Sequence, residues 1–324
     1  MMFQILAVAD SGVLARRAAV AAHELGLVVL PDDPIDGDVT AVVARAVAAG
    51  AQAIHPGEAP VAAQLALARA TEAAGLVFVG AEAAALAPLA GPGALDNAAS
   101  ELGLGRVTGD DGGRRIEVQV LADRDGEVVH LREREITGGG DTVLAPAPRL
   151  AGTVRSGLCR DAVRLVGRLG LTGAVTVVFT VVDDEYHVAD VLPGLQLAHT
   201  VTEEVTNLDL VQAQLHLAAG ARLADLGLTQ DAVTVRGVAI QCRVTAEDVR
   251  GTTSRLPGGP GVRIDGERSR ERVADVLAAM TCRGRDLVQA MRRTRRALGE
   301  FEVAGTATNL PALQHALAGS DSSA

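Results

Sequence analysis

The chain opens with a short apolar run at 3–9 that stops at Ala9-Asp10-Ser11-Gly12. Helical spacing follows from Val13 to Leu25, then Gly26 and a second apolar run, Leu27-Val28-Val29-Leu30. The alternation continues with predicted helices at 38–49 and 61–74 and short apolar runs at Ala53-Ile54 and at Leu76-Val77-Phe78-Val79. Strand, helix and strand in turn are the pattern of a parallel sheet wound on both faces. The first 80 residues therefore predict an open doubly wound, Rossmann-like α/β unit. Residues 81–104 are Ala-rich and read as helical, and the Gly/Asp-rich stretch 105–114 reads as a linker.

The period then changes. Ile116 to Leu121 alternates in steps of two, as a half-buried strand does, and Asp125-Gly126 turns it back into Val128-Val129-His130-Leu131. A helix is expected at 151–169. Two β-rich runs, 174–182 and 185–191, are joined by Asp183-Asp184. A helix at 207–219, a strand at 233–244 and helices at 284–298 and 310–317 complete the set. The domain reading is an α/β unit at 1–104, a linker at 105–114, an α+β domain with a largely antiparallel sheet at 115–318, and a tail at 319–324 that reads as disordered.

Composition narrows the chemistry. Hydrophobic residues make up 48% but aromatics only 2%, so the core is built from Val, Leu, Ile and Ala. A net charge of −10 argues against a nucleic-acid partner, because phosphate binding needs surplus cationic surface. No apolar stretch is long enough to span a bilayer, and the start carries no signal pattern, so no membrane association and a cytoplasmic location are expected. Cys159, Cys242 and Cys282 are widely spaced and suggest neither a disulfide framework nor a zinc site. All 30 basic residues are Arg, a bias that a GC-rich genome explains. It still removes any ammonium for phosphate and any amine nucleophile.

Several segments, in order, resemble the biotin carboxylase family, the ATP-grasp subunit of acetyl-, propionyl-, acyl-CoA and pyruvate carboxylases. Ala53-Ile54-His55-Pro56-Gly57 resembles that family's A-I-H-P-G-Y-G, and Gly75 to Gly80 its G-F-x-F-I-G. Ile116 to Leu121 resembles H-V-E-I-Q-V-L, and Ala145-Pro146-Ala147-Pro148 resembles E-E-A-P-A-P. His199 with Val201-Thr202-Glu203, Cys242 to Asp248, and Gly305 to Pro311 match further family segments. Each match is weak alone; the shared order carries the resemblance.

The departures fall on the chemistry that the resemblance implies. The family's Gly-rich, lysine-bearing lid would lie where only Gly105 to Arg114 stands, so the lid is expected to be missing. Its nucleotide lysine falls on Pro92, and a later lysine near Gly140. The segment E-M-N-T-R-x-Q-V-E-H reads Asp190 to His199, with Leu192 for Asn, Gly194 for Arg and Ala198 for the general-base Glu. The earlier metal Glu is Val178. Two Mg²⁺ beside a triphosphate need several hard oxygen ligands. With Asp190 alone remaining, no metal and no cofactor are expected.

The candidate cleft residues are Arg115, Glu117, Asp190, Gln196, His199 and Arg263. Glu117 points to the strand face that the family turns into the cleft, although a solvated strand residue is the more usual reading. Arg115 and Arg263 suit an anion pocket. Arg263 falls where the family has an arginine near bicarbonate and biotin, and equally suits a surface ion pair with Asp265 or Glu267. Asp190 and His199 suit an acid–base pair or a hydrogen-bonded structural remnant. His55 is expected to cap a turn, Cys242 to be inert core, and the arginines around 292–296 to be a solvated face or a dock for an acidic partner. The leading functional reading is a non-catalytic scaffold or regulatory subunit, either a homodimer or in a hetero-complex with carboxylase components. The alternatives are an enzyme repurposed for ATP-independent chemistry on a carboxylated or polyketide-like small molecule, and a small-molecule sensor.

Overall fold

The structure is a computed structural model that describes residues 2–30, 38–109, 112–247, 253–266 and 276–318. The chain begins with β1 (Ile5–Val8), α1 (Val13–Glu24), β2 (Val28–Val29), α2 (Val39–Ala48), β3 (Ala53–His55), α3 (Val61–Ala73) and β4 (Val77–Phe78). The four strands form a parallel sheet in the order β2-β1-β3-β4. Alternate residues of β1 face opposite sides: Leu6 and Val8 pack on α1, while Ala7 and Ala9 pack on α2 and α3. The doubly wound unit is present as expected.

The predicted helical stretch 81–104 is two helices, α4 (Ala83–Leu89) and α5 (Ala94–Glu101). Gly91-Pro92-Gly93 separates them; Pro92 has no N–H to donate, and Gly93 is left-handed at φ +85°. Residues 102–113 then lead directly to β5 (Arg114–Ala122). The expected linker does more than connect: Gly105 and Val107 hydrogen-bond to Val188 along the edge of the second sheet. A Cβ on Gly105 would lie 2.4 Å from the His187 ring.

After β5 come β6 (Val128–Thr137), β7 (Thr142–Ala145), α6 (Gly152–Leu169), β8 (Gly173–Val182), β9 (Glu185–Pro193), α7 (His199–Thr206), α8 (Leu210–Ala218) and β10 (Val238–Thr245). β11 (Thr253–Arg255), β12 (Val262–Gly266), β13 (Val276–Gly284), α9 (Leu287–Glu300), β14 (Glu302–Ala304) and α10 (Leu310–Ala318) follow. Eight of these strands form one sheet in the order β12-β13-β10-β7-β6-β5-β8-β9, antiparallel at every pairing. One face is closed by α6 over Ile116, Val118 and Val177, and by α9 and α10 over Ile240, Cys242 and Met280. The other face carries α7 and α8.

The helix predicted at 207–219 is shorter, and a second helix precedes it. Asn207 sits at φ +59° and ends α7, and the Asp209 carboxylate accepts from Gln212 N to cap α8. The sequence hides α7 because Thr200, Val201, Thr202, Val205 and Thr206 favour strands; burial against the sheet overrides that preference. The C-terminal match at Thr308-Asn309 is a structural clip. Asn309 accepts from Thr245 N and donates to Arg243 O and Asp141 Oδ2, tying the entry of α10 to β10.

Candidate functional site

The face of the large sheet that lies under α7 carries a row of polar residues beside the apolar patch of Val143, Ala145 and Ala239. The register places Leu192 beside Thr176, Thr176 beside Gln119, Glu117 beside Arg134, Gln241 beside Thr281, and Thr281 beside Arg263. α7 reaches down to this row. Thr200 Oγ1 bonds Thr281 Oγ1 at 2.7 Å and accepts from Gln241 Nε2 at 2.6 Å. Arg115, Glu117, Asp190 and Arg263 lie on this face, Gln196 lies in the turn before α7, and His199 begins α7. Arg115 with Glu117 and His199 with Arg263 fall in two closed clusters, Gln196 lines a separate recess, and Asp190 stands apart from all three.

The first cluster surrounds Arg134, which is 0% exposed. Its guanidinium donates to Glu117 Oε2 at 2.9 Å, Gln119 Oε1 at 3.0 Å and Thr176 Oγ1 at 3.1 Å. Arg115 Nη2 holds the other Glu117 oxygen at 2.9 Å. Glu117 is 4% exposed, which corrects the solvated reading: alternation gave its face but not the helix covering that face. Burial alone would raise its carboxyl pKa. Arg134 and Arg115 outweigh burial and hold the pKa below the usual range.

The second cluster surrounds Glu203. Arg263 Nη1 donates to Glu203 Oε2 at 2.6 Å and Arg263 Nε to Asp265 Oδ2 at 2.6 Å. Arg17 bridges Glu203 and Asp209 at 3.3 and 2.6 Å, and Leu210 N donates to Glu203 Oε1. Arg263 is thus half-buried and spoken for by carboxylates from two elements. The pairing with Asp265 was anticipated; Glu267 lies outside the described residues. Burial would raise the Glu203 pKa; the neighbouring His199, then Arg17 and Arg263, hold it low. His199 is fully buried, and burial lowers its pKa. Its Nδ1 lies 3.0 Å from Gln196 O, so Nδ1 carries the proton. The lone pair at Nε2 then faces Glu203 Oε2 at 3.7 Å, too far to bond.

Asp190 is the outlier. It is exposed, and its Oδ1 accepts from Val191 N. No hydrogen bond or ion pair joins it to His199 among the described residues, so the acid–base pair does not form. Asp190 lies directly opposite Val178 in the β8–β9 register. A two-carboxylate clamp for a divalent cation would need an acid at both positions, and Val178 supplies none. Among the described residues, no group of three His, Cys, Asp or Glu could hold a metal.

Gln196 lines a recess of ≈ 260 Å³ between the turn after β3 and the end of β9, with Glu58, Val61, Gln64, Leu192 and Pro193. The His55-Pro56-Gly57 turn sets its rim. His55 Nδ1 accepts from Gly57 N at 2.9 Å, so Nε2 carries the proton and donates to Gln214 Oε1 at 3.1 Å. His55 caps the turn as expected. Gly57 is left-handed at φ +69°, and a Cβ there would lie 2.1 Å from Asp10 Cβ. Gly57→Ala is therefore expected to lower unfolding free energy by about 2–3 kcal/mol, measured by urea denaturation.

Two residues escaped the sequence reading. Arg134 had no signal beyond one charge in an alternating strand. Arg243, on β10, makes no side-chain hydrogen bond or ion pair among the described residues, and its Nε is buried. It is a cation left open on the face where Arg263 is closed. Of the 283–296 arginines, Arg293 donates to Arg283 O and Arg295 to Leu317 O, while Arg285 pairs with Asp286 and Arg296 with Glu300. Cys242 is buried, and burial pushes its thiol up to about 12, in keeping with inert core.

Residues 36–86 match the family model "Biotin carboxylase, N-terminal domain", and residues 109–226 match "Carbamoyl-phosphate synthase L chain, ATP binding domain". Pyruvate carboxylase of Aspergillus niger is 40% identical over 220 residues, 62% of this chain and 18% of that protein. The chain thus spans under a fifth of the length of that relative. A crystal structure of the multifunctional pyruvate carboxylase from Rhizobium etli superposes with a TM-score of 0.90 at 30% identity, over 98% of this chain and 35% of that one. The biotin carboxylase domain dimer of the Hydrogenobacter thermophilus 2-oxoglutarate carboxylase shares the fold, with a TM-score of 0.90 at 21% identity over 99% of this chain and 95% of that one. No helix among the described residues is long and apolar enough to cross a membrane. Two consecutive family models, the identity to pyruvate carboxylases and the shared fold agree: the chain belongs to the biotin carboxylase family.

Proposed function

We propose that this chain is a biotin-carboxylase-like protein that has lost ATP-dependent carboxylation and serves as a scaffold or regulatory subunit beside carboxylase components. The observation that carries this reading is the Val178–Asp190 register pair, where one of two facing carboxylates is an apolar side chain. Mg²⁺ on a triphosphate needs more than one such ligand. Two features add support. Only residues 102–113 separate α5 from β5, too short a connection for a lid subdomain. The arginines Arg115, Arg134 and Arg263 are also neutralised by the protein's own Glu117, Glu203 and Asp265. The reading of a repurposed enzyme requires the candidate side chains to converge on one cavity, and of the six only Gln196 lines the recess.

The test is calorimetry with MgATP and MgADP, beside an authentic biotin carboxylase. No heat at millimolar nucleotide is the expected result. Micromolar binding would overturn the proposal and return the chain to a ligase role. Affinity capture of the native protein should bring down a carboxylase component; capture of none counts against the subunit role.

A further inference from the structure

We draw no further inference here: the strongest candidate, the recess between the turn after β3 and the end of β9, belongs to the site already described, and the unpartnered Gln64 Oε1 in its wall is buried too completely to offer a ligand a hydrogen bond.

Discussion

Replacing Glu117 with Ala should lower unfolding free energy by about 3–5 kcal/mol, more than any change to its partners. The reason is an asymmetry in the cluster. Arg134 is 0% exposed, and Glu117 is its ion-pair partner among the described residues; Gln119, Thr176 and Thr202 offer it neutral oxygens. Glu117→Ala strands a buried guanidinium. Arg134→Met is milder, because Glu117 keeps Arg115, whose side chain is 48% exposed. Arg115→Ala should cost under about 1 kcal/mol, as exposed pairs do. The double variant Glu117→Leu with Arg134→Met should recover part of the loss of Glu117→Ala, since apolar replacement of a whole buried pair is often near neutral. Urea denaturation of the four variants decides the matter. Equal costs for Glu117→Ala and Arg134→Met would show that Arg134 has another counter-charge.

Stability should also fall steeply on mild acidification. Burial lowers the His55 pKa from 6.5 to about 4, and burial lowers that of His199 as well. In both, the unfolded chain takes up a proton at a pH where the folded protein does not. Their contribution is full above pH 6.5 and is lost as pH drops towards the folded value, on the order of 3 kcal/mol for His55. The lowered carboxyls of Glu117 and Glu203 have the same sign and act below pH 4.5. Glu58, Glu133 and Glu204, raised first of all by burial, act in the opposite sense and offset part of the loss. Unfolding free energies measured between pH 7 and 5 should decline. His55→Gln, which cannot charge, should start lower at pH 7 and decline less. An equal slope in the variant would remove His55 as the cause.

The resemblance of ordered motifs to biotin carboxylase holds, and its physical content differs from motif to motif. His55-Pro56-Gly57 is a turn pinned by a ring nitrogen and by a Gly57 that admits no Cβ. Thr308-Asn309 is a clip on β10. Motifs such as these serve the fold and can persist while Val178, Leu192 and Ala198 stand at positions that the resemblance assigns to chemistry.

Periodicity by itself determined the doubly wound start, the helices α1, α2 and α3 to within about a residue or two, and the antiparallel strand pairs on either side of Asp125-Gly126 and Asp183-Asp184. These are local properties: side-chain alternation, turn chemistry and helix period are written in neighbouring residues. Only the tertiary structure decided that Glu117 is buried, that α7 is a helix despite its β-branched run, and that Arg263 belongs to Glu203. The same holds for Arg243, which stays open while the other arginines of that face are closed. Each of these depends on which element covers a face and on charges brought together from distant positions, Arg17 with Glu203 and Arg263 among them. A charged residue shows its chemistry in the sequence. Its partner, and hence whether it is free to meet a ligand, is set by packing.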